Sequence, residues 1–433
     1  MDEAGSPKIT RAAEMIRNSA LSFFILGRVP ELSLCEIESV LSAANPSASH
    51  VTRGIEAAIV SGDLSVPALV DRFGGVIKGG RVIEQALSNY DMASEVISTK
   101  LKSATKDISG RLTFGISAYS VSQKPLKGNE ARRVSAWIQK TGIELKKELR
   151  DGGVSARFVA PRKGECSLSS VVVEKNNLSR YPCVEYVILI DGDSTTLGIT
   201  EAVQDFEAYS RRDYHRPHRD MKTGLLPPKI ARIMVNLAGV KKDSVLADPF
   251  CGLGTILQEA LLLGHTRVIG GDIDEKNVRA AQENVAWLNA GPAEIKQCDA
   301  RKLVSCFQEH SIDAIVTEPT LGRPLNAGQT ISRKEIAILC DLYIDSFRSF
   351  RDVLKPGGFV VIVFPVWVEN GKQTRVPCIE DIVQLGFEND KPSIVIARED
   401  SRVARELFVF TLVPPDNTPR NKRPRAAVDR NRL

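Results

Sequence analysis

No two of the eight cysteines stand in a C-x-x-C pair: Cys35, Cys166, Cys183, Cys251, Cys298, Cys306, Cys340 and Cys378 are scattered along the chain. That excludes a zinc ribbon and a dithiol redox motif. Scattered thiols in a chain of this size are expected to be reduced, in a cytoplasmic protein. No apolar run is long enough to span a bilayer, and the opening stretch with Asp2 and Glu3 lacks signal-peptide character. No membrane partner is therefore expected. No internal repeat is visible. His215 and His218 lack carboxylate or cysteine partners, so no metal is expected.

What is present is an ordinary globular composition, 43% hydrophobic and 26% charged over 433 residues. This length exceeds one core and points to two or three domains. The net charge of +5 is concentrated near the C-terminal end, where six basic residues from Asn417 onward face one acid. Residues 414–433 have little to bury and read as a disordered basic tail. It is either a solubilising segment or a source of non-specific phosphate contacts. Residues 1–20 read as a flexible lead-in.

Between these ends the pattern changes three times. Residues 21–95 begin with a buried strand, Leu21 to Gly27, and continue with apolar residues at helical spacing from Leu34 to Leu41. A small α+β domain is expected. Residues 96–200 carry strand signals at 112–119, 154–160, 171–174 and 184–190 around a helix over 130–149, a second α+β unit. That helix places Val134, Ile138, Leu145 and Leu149 on one side and carries Arg132 and Arg133 on its other faces. Residues 201–224 read as a basic linker. In it Arg211, Arg212, Arg216, Arg219 and Lys222 interleave with Tyr214 and other rings. Guanidinium and aromatic groups together suit phosphate contact and base stacking, so these residues, with Arg132 and Arg133, are candidate RNA contacts. From 225 to 413 helices and strands alternate, which predicts a doubly wound, Rossmann-like α/β domain.

The most informative stretch is Leu246 to Thr255. A short apolar strand runs into Asp248 and Pro249, Gly252 and Gly254 make a turn, and a helix starts at Thr255. Glycine lets backbone approach a ligand, and the helix N-terminus aims its N–H groups into the same space. The position where a dinucleotide site needs its third glycine is Leu257, which argues against that cofactor. Asp272 falls 18 residues after Gly254, at the end of the second strand, where a carboxylate can bind ribose hydroxyls. Asp299 ends the third strand and can accept from an adenine amine. Asp248, Phe250, Gly252 and Gly254, followed by Asp272 and Asp299, resemble the cofactor motifs of class I S-adenosylmethionine methyltransferases. Thr255, Ile273 and Ala300 complete the candidate cofactor set.

The fourth strand ends in Thr317, Glu318, Pro319 and Thr320. Amino-methyltransferases of nucleic acids carry an Asp, Asn or Ser, two prolines and an aromatic here. Their polar group orients the target amine and their ring stacks on the base. Thr317 stands where the acid is expected, Glu318 replaces the first proline, Pro319 is kept and Thr320 replaces the aromatic. Thr317, Glu318 and Pro319 are the candidate catalytic residues.

The chain as a whole resembles the THUMP-domain RNA methyltransferases, most closely the tRNA guanosine-N2 methyltransferases that act on position ten. The resemblance rests on Phe24 to Leu34, Arg212 to Tyr214, Gly224 to Ala231 and the Asp248–Thr255 loop, and covers residues 20–413. It implies a THUMP unit near 96–200 that grips tRNA and a ferredoxin-like companion that sets the distance to the target base. It also implies S-adenosylmethionine as cofactor and tRNA, not DNA, as partner. An RNA-binding protein with an impaired methyltransferase fold, or an adenine-N6 methyltransferase, remain alternatives. The need for an accessory subunit is left open.

Overall fold

The computed structural model describes residues 21–44, 50–104, 110–219, 225–325, 329–369, 372–389, 391–397 and 402–414. The expected lead-in, nearly all of the basic tail and Lys222 lie outside these residues.

The N-terminal half is built on one sheet of eight strands: β1 (Leu21–Leu26), β2 (Val51–Arg53), β3 (Ala57–Ser61), β4 (Val76–Leu87), β5 (Leu112–Ser120), β6 (Ala156–Val159), β7 (Val184–Asp191) and β8 (Ser194–Val203). Their order is β2-β3-β1-β4-β8-β7-β5-β6. β5 pairs in parallel with β6 and β7, whereas the other pairs are antiparallel. Among the described residues five helices belong to this half: α1 (Pro30–Ala44), α2 (Val66–Arg72), α3 (Tyr90–Ala104), α4 (Gly128–Asp151) and α5 (Ser170–Lys175).

Three expectations are corrected here. The boundary at residue 95 falls inside α3, whose Ala93, Ile97 and Leu101 pack with Phe114, Ile116 and Ile188 of the second unit. Antiparallel pairing of β4 with β8 then joins both units in one sheet. Residues 171–174 form helix, not strand. The side chain of Ser169 caps that helix by accepting from Val172 N, and this local bond outweighs the β-branched run. Residues 201–224 are not a plain linker: β8 extends to Val203, and α6 (Phe206–Tyr214) follows, capped by Asp205, which accepts from Ala208 N at 2.8 Å.

The C-terminal half is doubly wound, as its alternating pattern predicts. Its nine strands are β9 (Val245–Asp248), β10 (Arg267–Asp272), β11 (Glu294–Gln297), β12 (Ile312–Thr317), β13 (Leu354–Glu369), β14 (Lys372–Arg375), β15 (Phe387–Glu388), β16 (Ile394–Ile396) and β17 (Val403–Leu412). The order is β11-β10-β9-β12-β13-β17-β15, with β14 on β13 and β16 on β17. β9 to β13 run parallel and β17 antiparallel. Among the described residues five helices belong to this half: α7 (Pro228–Ala238), α8 (Thr255–Leu262), α9 (Glu275–Leu288), α10 (Arg333–Val353) and α11 (Ile379–Gln384). The strand order reverses at β9, which has β10 on one side and β12 on the other. The crevice beyond the carboxyl ends of these strands is where open α/β sheets bind ligands.

Buried polar contacts join the halves. Glu36 of α1 accepts from Gly74 N and Gly75 N at 2.8 Å each and from Asn236 Nδ2 of α7 at 2.7 Å. Burial raises its carboxyl pKa to about 7 against the pull of those donors. Glu259 of α8 is clamped by Arg212 of α6 at 2.6 Å and Arg232 of α7 at 2.7 Å, and Arg232 also donates to Asp71 O. A pair of thiols departs from the expectation of reduced cysteines. Cys298 and Cys306 form a disulfide with Cα atoms 6.3 Å apart, across the turn after β11. Their spacing of eight residues carries no motif, and only the folding of this turn brings them together. No helix among the described residues is long and apolar enough to cross a membrane.

Candidate active site

A cavity of about 460 Å³ opens beyond the carboxyl ends of β9, β10 and β12. One wall, where the sequence places the candidate cofactor residues, begins with the loop after β9. Gly252 and Gly254 both take left-handed backbone, with φ of 49° and 82°. A Cβ on Gly252 would meet nothing within 4 Å. One on Gly254 would come within 3.2 Å of Ala281 Cβ on α9. Gly254 therefore serves the turn and the packing of α8 on α9, and does not line the cavity. Leu257 is fully buried, and the close approach its side chain denies on the helix is supplied from the strand, where Gly270 lies under Leu257 Cδ1.

Asp272 organises this wall. Its Oδ2 accepts from Gly252 N at 3.0 Å, and its Oδ1 from Asp274 N at 2.9 Å and Asn277 Nδ2 at 3.2 Å. Each carboxylate oxygen has two lone pairs, so Oδ2 retains acceptor capacity toward the cavity. Ile273 next to it is 62% exposed, an apolar side chain left over the cavity mouth. Asp299 ends the wall and caps the short 3-10 turn at Ala300. Arg301 holds it through three side-chain contacts, the shortest 2.7 Å, and keeps its carboxyl below the usual range. Phe250, Thr255 and Ala300 also line the cavity.

Asp248 stands between the two walls. It is buried, and its Oδ1 accepts from Thr317 Oγ1 at 2.6 Å and Phe250 N at 3.2 Å. Burial raises its pKa to about 7; those two donors oppose the rise, and the charges of Asp272 and Glu318 add to it.

The opposite wall is the loop after β12. Thr317 is fully buried and spends its hydroxyl on Asp248, so it does not reach the cavity. This corrects its placement among the catalytic candidates. Alternation along a strand explains it: Thr317 and Glu318 point to opposite sides, and only Glu318 faces the cleft. Glu318 lines the cavity with Pro319, Thr320 and Leu321. Arg405 Nε of β17 donates to Glu318 Oε1 at 2.5 Å. Burial raises the Glu318 pKa and the Arg405 guanidinium opposes that rise. Tyr343 OH donates to Thr320 O at 2.7 Å, and Arg323 Nε binds Glu335 Oε1 at 2.6 Å. The loop is thus pinned at several points.

The candidate RNA contacts divide sharply. Arg132 and Arg133 are exposed on α4, and Arg211 and Tyr214 on α6. The guanidinium of Arg211 lies 5.4 Å over the Trp287 ring, and that of Arg219 lies 4.9 Å over Tyr214. Arg212 and Arg216 are corrections, because both are buried. Arg212 is taken by Glu259, and Arg216 Nη1 donates to Thr255 Oγ1 at 2.7 Å, at the start of α8. They brace helix α8, and their burial sets them apart from the exposed candidates. Sequence reasoning missed Asn277, Arg301 and Arg405. For Arg405 a signal existed: two adjacent charges, Arg405 and Glu406, interrupt an apolar strand, and buried charges need partners.

Comparison with known proteins fits this geometry. The RMKL-like methyltransferase domain family (UPF0020) matches residues 216–368. The tRNA (guanine(10)-N2)-dimethyltransferase of Methanothermobacter thermautotrophicus is 36% identical over 195 residues, 44% of this chain and 52% of that one. The tRNA (guanine(6)-N2)-methyltransferase of Thermus thermophilus is 30% identical over 243 residues, 52% of this chain and 67% of that one. The chain thus spans about half the length of the first of these relatives. The crystal structure of TrmN from Thermus thermophilus shares the fold over 91% of this chain and 100% of that one, with a TM-score of 0.55 and 18% identity.

Proposed function

This chain belongs to the family of class I tRNA guanine-N2 methyltransferases, and from that premise we propose that it methylates the exocyclic N2 of a guanine in tRNA, with S-adenosylmethionine as donor. One observation carries the reading: a cofactor wall built on Asp272 and a carboxylate, Glu318, face each other across one cavity. On this reading the protein works in the cytoplasm, on tRNA and not on DNA.

The residues present fit the donor. The open side of Gly252 leaves room for backbone contact. Asp272 has acceptor capacity left for ribose hydroxyls, Ile273 offers an apolar cover for a flat ring, and Asp299 can accept from an adenine amine. The volume of about 460 Å³ lies in the range of small-molecule sites. When bound, the donor supplies an electrophilic methyl group on a sulfonium. The protein's part is orientation. Glu318 accepts a hydrogen bond from the guanine amine and turns its lone pair toward the methyl, and its carboxylate can hold the proton that the amine loses. Pro319 keeps the turn rigid. Thr320 offers no ring, so this loop supplies no aromatic stacking partner for the base.

For the RNA, the exposed Arg132 and Arg133 of α4 and the surface formed by Arg211, Tyr214 and Arg219 supply phosphate and stacking contacts. The eight-stranded N-terminal sheet, with residues 96–200 as its THUMP-like part, grips the tRNA and sets the distance to the target. Methyl transfer from tritiated donor to bulk tRNA, for wild type and Glu318→Ala, tests the reading. Transfer by wild type and loss in the variant supports it. Tight donor binding by calorimetry without any transfer would favour an RNA-binding protein with an idle cofactor site.

A further inference from the structure

Glu318 is an awkward residue for its task. It is enclosed at the carboxyl ends of the strands, and burial favours the protonated form of a carboxyl group. A protonated Glu318 would offer an O–H where the target amine needs an acceptor. The groups facing it come from three other elements. Asp248 at the end of β9 is itself enclosed and bonded to Thr317. Tyr343 of α10 gives its hydroxyl proton to Thr320 O. Arg405 of β17 binds Glu318 Oε1 at 2.5 Å, and neither side chain is more than 15% exposed. Among the described residues no bond is made to Oε2, which leaves an acceptor for a ligand.

The surroundings of Arg405 sharpen its assignment. Its strand neighbour Glu406 is engaged elsewhere, with Oε2 3.0 Å from Arg375 Nε and Oε1 accepting from Ser393 Oγ at 2.7 Å. Glu318 and Arg405 come from segments 87 residues apart, joined only because β17 returns antiparallel along β13. We infer that Arg405 is a positioning residue of the methyl-acceptor wall: its guanidinium fixes one oxygen of Glu318 and keeps the other available to the guanine amine as an ionised acceptor. The inference rests on the proposed methyl transfer, since it names what aims the acceptor in that reaction.

The test compares wild type with Arg405→Met and Arg405→Lys in the full chain. Steady-state transfer to a tRNA transcript is measured from about pH 6 to 9, alongside a ¹³C carboxyl titration of Glu318 identified by its loss in Glu318→Gln. Arg405→Met should lower kcat about 10-fold to 100-fold with little change in KM for the donor. It should also move the acidic limb of the kcat profile and the Glu318 titration to higher pH. Arg405→Lys keeps the charge and should restore most of both. An Arg405→Met protein with unchanged profile and titration overturns the inference. So does an equal loss in both variants with a lowered Tm and no movement of the titration, which is the mark of a purely structural role. If wild type transfers no methyl to any RNA, the proposed function fails on its own. The titration then decides: movement in Arg405→Met supports the pair, and its absence overturns it.

Discussion

The side of the cleft built on Asp272 is held by bonds between residues close in sequence, the side built on Glu318 by bonds between residues far apart. Asp272 binds Gly252, Asp274 and Asn277, separations of 20, 2 and 5 residues. Thr317 and Glu318 depend on Asp248 and Arg405, separations of 69 and 87. The first wall forms wherever its strand, loop and helix form. The second requires the complete sheet, including the returning strand β17. One side of this cleft is a local motif and the other a product of tertiary structure.

The strongest way to break that contrast is at Asp272. Replacing it with alanine removes the acceptor of two backbone N–H groups and the expected ribose ligand. Donor affinity should fall about 1000-fold by calorimetry, about 4 kcal/mol. Affinity within a few-fold of wild type would mean that the cofactor wall does not depend on this carboxylate.

Asp248 joins the walls, and its titration should show in stability. Its folded pKa of about 7 lies above the ordinary carboxyl value of 3.8, with burial as the main cause. A group raised in this way gives a stabilising contribution that is fully present below the unfolded pKa. It is lost as pH rises through about 7. In denaturant titrations Asp248 should therefore contribute a fall in stability of about 4 kcal/mol between acidic and mildly alkaline pH. Asp248→Asn should flatten that slope. An unchanged slope would remove Asp248 as the coupling group.

On the acceptor wall, Glu318→Gln should lower kcat about 100-fold while leaving donor affinity intact. A parallel loss of donor binding would merge the two walls into one functional unit. The smallest effect is expected outside the cleft. Arg211→Ala should weaken tRNA binding about 3-fold and reduce its salt dependence by roughly one ion, with Tm unchanged. Arg212→Ala should instead lower Tm, because it leaves Glu259 with one cation fewer in a buried cluster.

That neighbouring pair shows what could and could not be read from the chain. Charge and aromatic content marked the 211–222 run, yet its composition could not say that α6 turns Arg212 with Tyr209 toward α7 and leaves Arg211 outside. Once 206–214 is seen as helix, the three-residue spacing of Tyr209 and Arg212 gives their shared face. The doubly wound half was legible because parallel strands buried on both faces read as apolar runs between helices. Helix α5 was misread for the converse reason: Val171 to Val173 have strand propensity, and one capping serine decided otherwise. That Asp248, Gly252, Asp272 and Asp299 share one cavity followed from order and spacing. Arg405 did not, since nothing in a sequence states which strand returns beside β13. The division at residue 95 missed for the same reason: the pairing of β4 with β8 spans more than 100 residues.

The most direct test of the account is nucleoside mass spectrometry of an unmodified tRNA incubated with the purified protein and methyl-labelled S-adenosylmethionine. Label is expected in N2-methylguanosine, present with wild type and strongly reduced with Glu318→Gln. Label on adenosine, or N2-methylguanosine formed equally by both proteins, would contradict it.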